Sequence, residues 1–259
     1  MNYFFFLDTN EKDLIPSVEI FNRPPAKRLS SDQIKSKNII AFYSDNNFWN
    51  YHLVSELKPY SSLLIKKTDL PKEFLDKSVF LFLSDSKSFD RQTLKNENYM
   101  NCSPAWRANI KISSFFNSVS YQGEYPHIMT EKKLSLVSCS PMVQNNEFTK
   151  TFFYLVNLKS KPEQESFLVK IMNINRKIID QVNFKTNNIN FIDLEKIYKK
   201  DKQLTYVFTS EDEGGVPIYF SKTKDNKSFS LEHTHPPTEY TFEGNRVFFQ
   251  KKKKSFWHN

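Results

Sequence analysis

"NFIDLEKIYKKDKQLTYVFTSED", Asn190 to Asp212, reads as a strand, a short helical piece and a second strand, and the same order occurs earlier in "LIKKTDLPKEFLDKSVFLFLSDS", Leu64 to Ser86. In each, an Asp-Leu pair opens the helical piece, an aromatic residue follows within the next turn and a half, and a lysine-bearing turn leads into an alternating strand. Asp69 and Asp193 are the residues placed to cap those turns, because a carboxylate there accepts the unpaired N–H groups of a first helical turn. Two such units in one order raise the question of an internal repeat.

Working outward, further matches fall in the same order. "YFFFL" (Tyr3 to Leu7) matches "TFFYL" (Thr151 to Leu155). "FYSDNNFWNYHLVS" from Phe42 and "IMNINRKIIDQVN" from Ile171 both read as strand, Asn-rich turn, strand. "SVSYQGEYP" (Ser118 to Pro126) matches "SFSLEHTHP" (Ser228 to Pro236), with serines and a proline at identical offsets. A last strand then follows each copy, "KLSLVSC" in one and "RVFFQKK" in the other.

Most of these runs are short, rich in Phe, Tyr, Val and Ile, and bounded by Asn, Asp, Ser and Lys. Several, such as Asn109 to Ile112, alternate with the period of two that half-buried strands show. The expected fold is therefore mainly β, with helix confined to short turns. Alternating strands need a second apolar layer, which two facing antiparallel sheets supply. The expectation is a tandem duplicated antiparallel β-sandwich of immunoglobulin-like or jelly-roll-like modules. Copy one covers 1–148 and carries insertions at Arg23 to Lys37 and Lys87 to Trp106; copy two covers 149–259 and ends in a basic tail.

Composition narrows the function classes. A chain of 259 residues with 39% hydrophobic residues can build sizeable cores. The formal charge of +8 divides unevenly: 1–148 is nearly balanced, and much of the excess in 149–259 comes from Lys251 to Lys254. A broad basic face for a phosphate backbone is not indicated, so nucleic acid is not the expected partner. Only four glycines occur, which leaves no glycine-rich phosphate loop. Cys102 and Cys139 lack metal-type spacing and are too few for a disulfide framework. The apolar run before Asp8 is shorter than a signal-peptide core, and no run reaches the roughly 18 residues of a membrane span. A soluble cytoplasmic protein is expected.

The polar candidates cluster in "SFSLEHTHPPTEY", Ser228 to Tyr240. Residues two apart on a strand share a face about 7 Å apart, so His233 and His235 can reach one ion, with Glu239 returned by the turn at Pro236 and Pro237. The string His-Thr-His-Pro-Pro-Thr-Glu resembles the first metal-binding motif of the cupins over seven residues. The resemblance implies His233, His235 and Glu239 as ligands of a divalent metal. The alternative to a binding protein is therefore a metal-dependent enzyme acting on a small polar or sugar-like substrate, in which these residues, with Glu124 or His127 as further candidates, hold Zn, Fe, Mn or Ni. The further histidine that cupins draw from a later strand has only His258 to fill it, in a lysine-rich tail.

The repeat places Gln122, Glu124, Tyr125 and His127 of copy one where Glu232 and the histidines stand in copy two, and equivalent strand ends of paired modules can form one ligand site. Trp106 beside Arg107, just before a strand, is a combination suited to stacking on sugars. No Ser-His-Asp or Cys-His spacing has local support. The leading expectation is a non-catalytic binding or assembly protein whose partner is a carbohydrate or another protein.

Overall fold

The computed structural model describes residues 2–9, 11–22, 35–94, 108–130, 135–143, 148–233 and 254–258. Seventeen strands follow in order: β1 (Asn2–Phe5), β2 (Ile15–Asn22), β3 (Lys37–Asp45), β4 (Phe48–Leu57), β5 (Ser61–Lys66), β6 (Phe80–Ser84), β7 (Ala108–Ser113), β8 (Ser118–Gly123), β9 (Tyr125–Pro126), β10 (Leu136–Cys139), β11 (Thr149–Asn157), β12 (Ser166–Met172), β13 (Ile178–Lys185), β14 (Asn188–Asp193), β15 (Val207–Ser210), β16 (Val216–Thr223) and β17 (Phe229–His233). Helix α1 (Leu194–Lys200) links β14 to β15.

The chain is mainly β, and the described strands form four small antiparallel sheets. It divides into two compact units: Met1–Glu131 with Leu158–Gln164 and Asn187–Ile189, and Lys132–Asn157 with Glu165–Thr186 and Asn190–Asn259. The first unit holds sheets ordered β4-β3-β6-β1-β9 and β5-β2-β7-β8. In the second the orders are β13-β12-β15-β10 and β14-β11-β16-β17. Ranked along the chain, the strands of both units follow one pattern; β9 is an addition to the first. The α1 segment and the turns between β5 and β6 hold the same rank.

Two matches read from sequence fall elsewhere. "YFFFL" overlaps β1, which ranks with β10, whereas "TFFYL" lies in β11, which ranks with β2. "KLSLVSC", expected to close copy one, contains β10, and Leu136 to Cys139 pair with Ser210 to Val207 of β15 in the second unit. Phe-rich strands look alike one by one; pairing, which the sequence does not display, sets their rank.

Within each unit one core cluster draws on both sheets. In the first, Phe4, Ile39, Ala41, Tyr43 and Leu81 meet Val18, Ile20, Ile65 and Ala108. The second gathers Phe153, Leu155 and Tyr219 with Val169, Ile171 and Phe208, and the Phe153 and Phe208 rings stack at 3.9 Å. Full burial of such a side chain is worth about 1.5–3 kcal/mol, so these clusters dominate the stability of each unit.

The central strands of sheets β4-β3-β6-β1-β9 and β14-β11-β16-β17, such as β3, β11 and β16, are buried on both faces. In β3, Asn38 to Ser44 are all buried, and so are Thr151 to Asn157 in β11. Away from the first core, Tyr3, Phe42, Phe80, Phe82 and Trp49 form a second aromatic layer with centroid separations of 5.4 to 5.9 Å. Phe89 caps it, 5.4 Å from Phe42. That is why these strands read as unbroken apolar runs. In contrast, β7 and β8 alternate, because one of their faces reaches water.

The helical pieces differ between the units. Asp193 caps α1 as expected, accepting from the Glu195 N–H at 2.9 Å. Asp69 instead reaches back to the Lys66 N–H at 2.9 Å, and the chain makes two short 3-10 turns, Lys67–Asp69 and Lys72–Phe74, on either side of Pro71. Both pieces do the same packing work: Leu70 and Phe74, and Leu194 and Ile197, enter the respective cores.

Asparagine takes on turns that glycine often serves. Asn46 and Asn47, with φ of 51° and 62°, make the two-residue turn from β3 to β4, and Asn187 and Asn226 adopt φ of 53° and 58°. Asn tolerates this left-handed region better than other side chains.

Candidate functional site

The residues expected to converge near Gln122 are split between two sheets. Gln122 lies on β8, opposite Asn109 of β7. Only three residues later the chain has changed sheets: Tyr125 pairs with Tyr3 of β1 and is fully buried. Between them, the Glu124 carboxylate accepts from Asn2 Nδ2 and so ties the crossover to β1. Of the expected first-unit set, Gln122 is exposed to solvent, Glu124 is partly buried, and Tyr125 is part of the interior. His127 opens a 3-10 turn, His127–Thr130.

In the second unit, Glu232 is exposed and pairs with Tyr219, and His233 ends β17 opposite Ile218. His235, Glu239, Trp106 and Arg107 lie outside the described residues, as do Lys251 to Lys253. Lys254 is described, and its ammonium donates to the Ser135 carbonyl at 3.1 Å. Among the described residues, no three His, Cys, Asp or Glu side chains are grouped as metal ligands. Among them also, no helix is long and apolar enough to cross a membrane.

Gln122 belongs to an open face that its own hairpin builds. On sheet β5-β2-β7-β8, Val18, Ile20, Ile65 and Ile110 point inward, so the alternate residues face outward. The register sets them in rows: Leu64, Glu19, Asn109 and Gln122 form one, Lys66, Ser17, Lys111 and Ser120 the next. Four strands abreast make a platform about 15 Å wide. Glu19 is its centre, with Lys111 Nζ at 3.6 Å, while Asn109 Nδ2 and Ser62 Oγ each donate to its carboxylate at 3.5 Å. Contacts this long between half-exposed side chains contribute little to stability.

A third row, Ile15, Ser113 and Ser118, leads off the platform to the β7–β8 turn. There Phe115 and Phe116 are 93% and 71% exposed. They follow the apolar alternation of "ANIKISSFF" in the sequence, but the strand ends at Ser113, and Ser114 and Asn117 make the turn. Ser114 N–H donates to the Asn117 carbonyl at 2.7 Å, and Ser114 Oγ accepts from the N–H groups of Phe116 and Asn117 at 3.2 and 3.1 Å. Asn117 Oδ1 accepts from the Ser118 N–H at 2.8 Å. Ser and Asn flanking the two phenylalanines were the available signal, since both are turn formers that bond their own backbone.

No family model, no curated protein and no solved structure matches the chain significantly. The chain is thus placed by its own architecture, as a mainly β protein of four antiparallel sheets, and by its exposed features.

Proposed function

We propose that this chain is a non-catalytic binding or assembly protein, an internal duplication of a β-sandwich module that takes a protein or carbohydrate partner across the outer face of β5-β2-β7-β8. The shared strand order supports duplication, and the core clusters that join the two sheets of each unit support the sandwich. The observation that carries the binding reading is the platform itself: rows of half-exposed Glu19, Asn109 and Lys111 and exposed Gln122 and Ser120 on one sheet face, suited to an extended or broad partner.

The test is a Glu19→Ala, Asn109→Ala, Gln122→Ala triple variant, whose side chains stand outside the core. Binding to a glycan panel and to proteins co-purifying with the wild type is compared by calorimetry. At least a tenfold loss with an unchanged melting temperature is expected. Undiminished binding of every partner found would remove the platform from the reading.

A further inference from the structure

The β7–β8 and β16–β17 hairpins hold the same rank in their units, yet their turns differ in kind. Between β16 and β17 the turn is polar: Thr223 Oγ1 donates to the Asp225 carboxylate at 2.6 Å and accepts from the Ser228 N–H at 3.0 Å. Between β7 and β8 stand Phe115 and Phe116. The hairpin therefore closes without aromatic residues, and the fold itself does not require this pair.

From this contrast, and resting on the binding reading above, we propose that Phe115 and Phe116 form an anchor that inserts into an apolar pocket of a partner protein. The anchor is preorganised. Its turn is fixed by the bonds of Ser114 and Asn117, and the rings stand edge to face with centroids 5.1 Å apart at 84°. Little further ordering is lost on insertion, the condition under which exposed aromatics become dominant binding residues.

Size and charge select the occupant. Two phenylalanines offer at most about 300–500 Å², short of the roughly 800 Å² per partner of a stable flat interface. A second copy meeting this tip with its own would cover the rings on one side only, whereas a concave pocket encloses them and buries most of that area. Charge argues against an anionic lipid surface. Residues 112–122 contain no lysine or arginine, and Lys111 lies 3.6 Å from the Glu19 carboxylate. Membrane-seating aromatics draw on a cationic collar, which this turn lacks. Its rim is Ser113, Ser114, Asn117 and Ser118, neutral and polar, and Ile15, 42% exposed, extends the apolar surface along the third row.

The experiment places a photo-crosslinking benzoylphenylalanine at position 115 of the full chain in cells that make it, identifies the adduct, and measures affinity with that protein purified. A single protein adduct is expected. Its affinity should fall roughly 30-fold or more for Phe115→Ser, Phe116→Ser, a typical hot-spot loss, and recover substantially for Phe115→Leu, Phe116→Leu. Adducts only with lipid, only with a second copy of this chain or with nothing would overturn the anchor, as would unchanged affinity in the serine variant. If the same purified protein binds the serine variant normally but loses the platform triple variant, the anchor fails and the platform stands. Loss through the tip alone would retain the anchor and remove the platform.

Discussion

Lys67 and Asp8 form an ion pair in the first unit in which the lysine is buried, and the Lys67 ammonium also donates to the Lys77 carbonyl at 2.6 Å. Burial pushes the Asp8 carboxyl above its ordinary range, and the attraction of Lys67 only partly offsets this. A carboxyl raised by folding gives stability that is complete below its unfolded value and lost as pH rises through its folded one.

Lys67→Met should deepen that loss. The variant should be destabilised by about 2 kcal/mol at pH 7, less than the 3–5 of a fully buried pair because Asp8 is partly exposed, and by clearly less near pH 3.5. The double variant Asp8→Asn, Lys67→Met should recover most of the difference. Urea unfolding at both pH values checks this; an equal cost at the two would mean that the lysine acts through packing alone.

Gly215 is required by a close approach of two backbone segments. A methyl group there would stand 2.1 Å from the Val156 carbonyl oxygen. At Gly123 the nearest obstacle is the Tyr121 ring, a side chain. Gly215→Ala should cost about 2–3 kcal/mol and Gly123→Ala distinctly less, because a ring can turn aside and a strand cannot. Denaturation midpoints of the two variants decide it.

Tyr60 holds a φ of 59° in an exposed turn, a conformation unfavourable for an aromatic side chain. Its N–H donates to the Asn22 carbonyl at 2.7 Å, which any residue but proline preserves. Tyr60→Asn should therefore stabilise the protein by about 0.5–1 kcal/mol, visible as a raised melting temperature. A lowered one would assign the Tyr60 ring a packing role.

The proposed binding function expects equal metal content in the wild type and in His233→Ala, His235→Ala after purification without chelator. Near-stoichiometric zinc, iron, manganese or nickel that disappears with the histidines would favour a metal-dependent enzyme instead. Elemental analysis separates the two.

What the sequence displayed was local. The Asn46–Asn47 hairpin, the Asp193 cap and the alternation of Asn109 to Ile112 depend on neighbours in the chain, and each is legible there. Unbroken runs such as "IIAFY" carried a further message, that both faces of the strand are buried, but a run alone does not say which strands pair. The split of Gln122 from Tyr125 was hidden for the same reason: the change of sheet takes only Glu124, between Gly123 at the end of β8 and Tyr125 of β9. Phe115 follows an alternating run and resembles its continuation, but the bonds of Ser114 place it in a turn.

The pairing of β10 with β15 governs how the molecule can be dissected. A fragment beginning at residue 149 would lack Leu136 to Cys139 and leave Val207 to Ser210, buried in the intact chain, as a bare strand edge. Such an edge recruits other chains. A fragment begun at or before Ser135 would keep its own guard strand, so whether the second half of this protein can be handled in solution turns on a few residues that lie ahead of it.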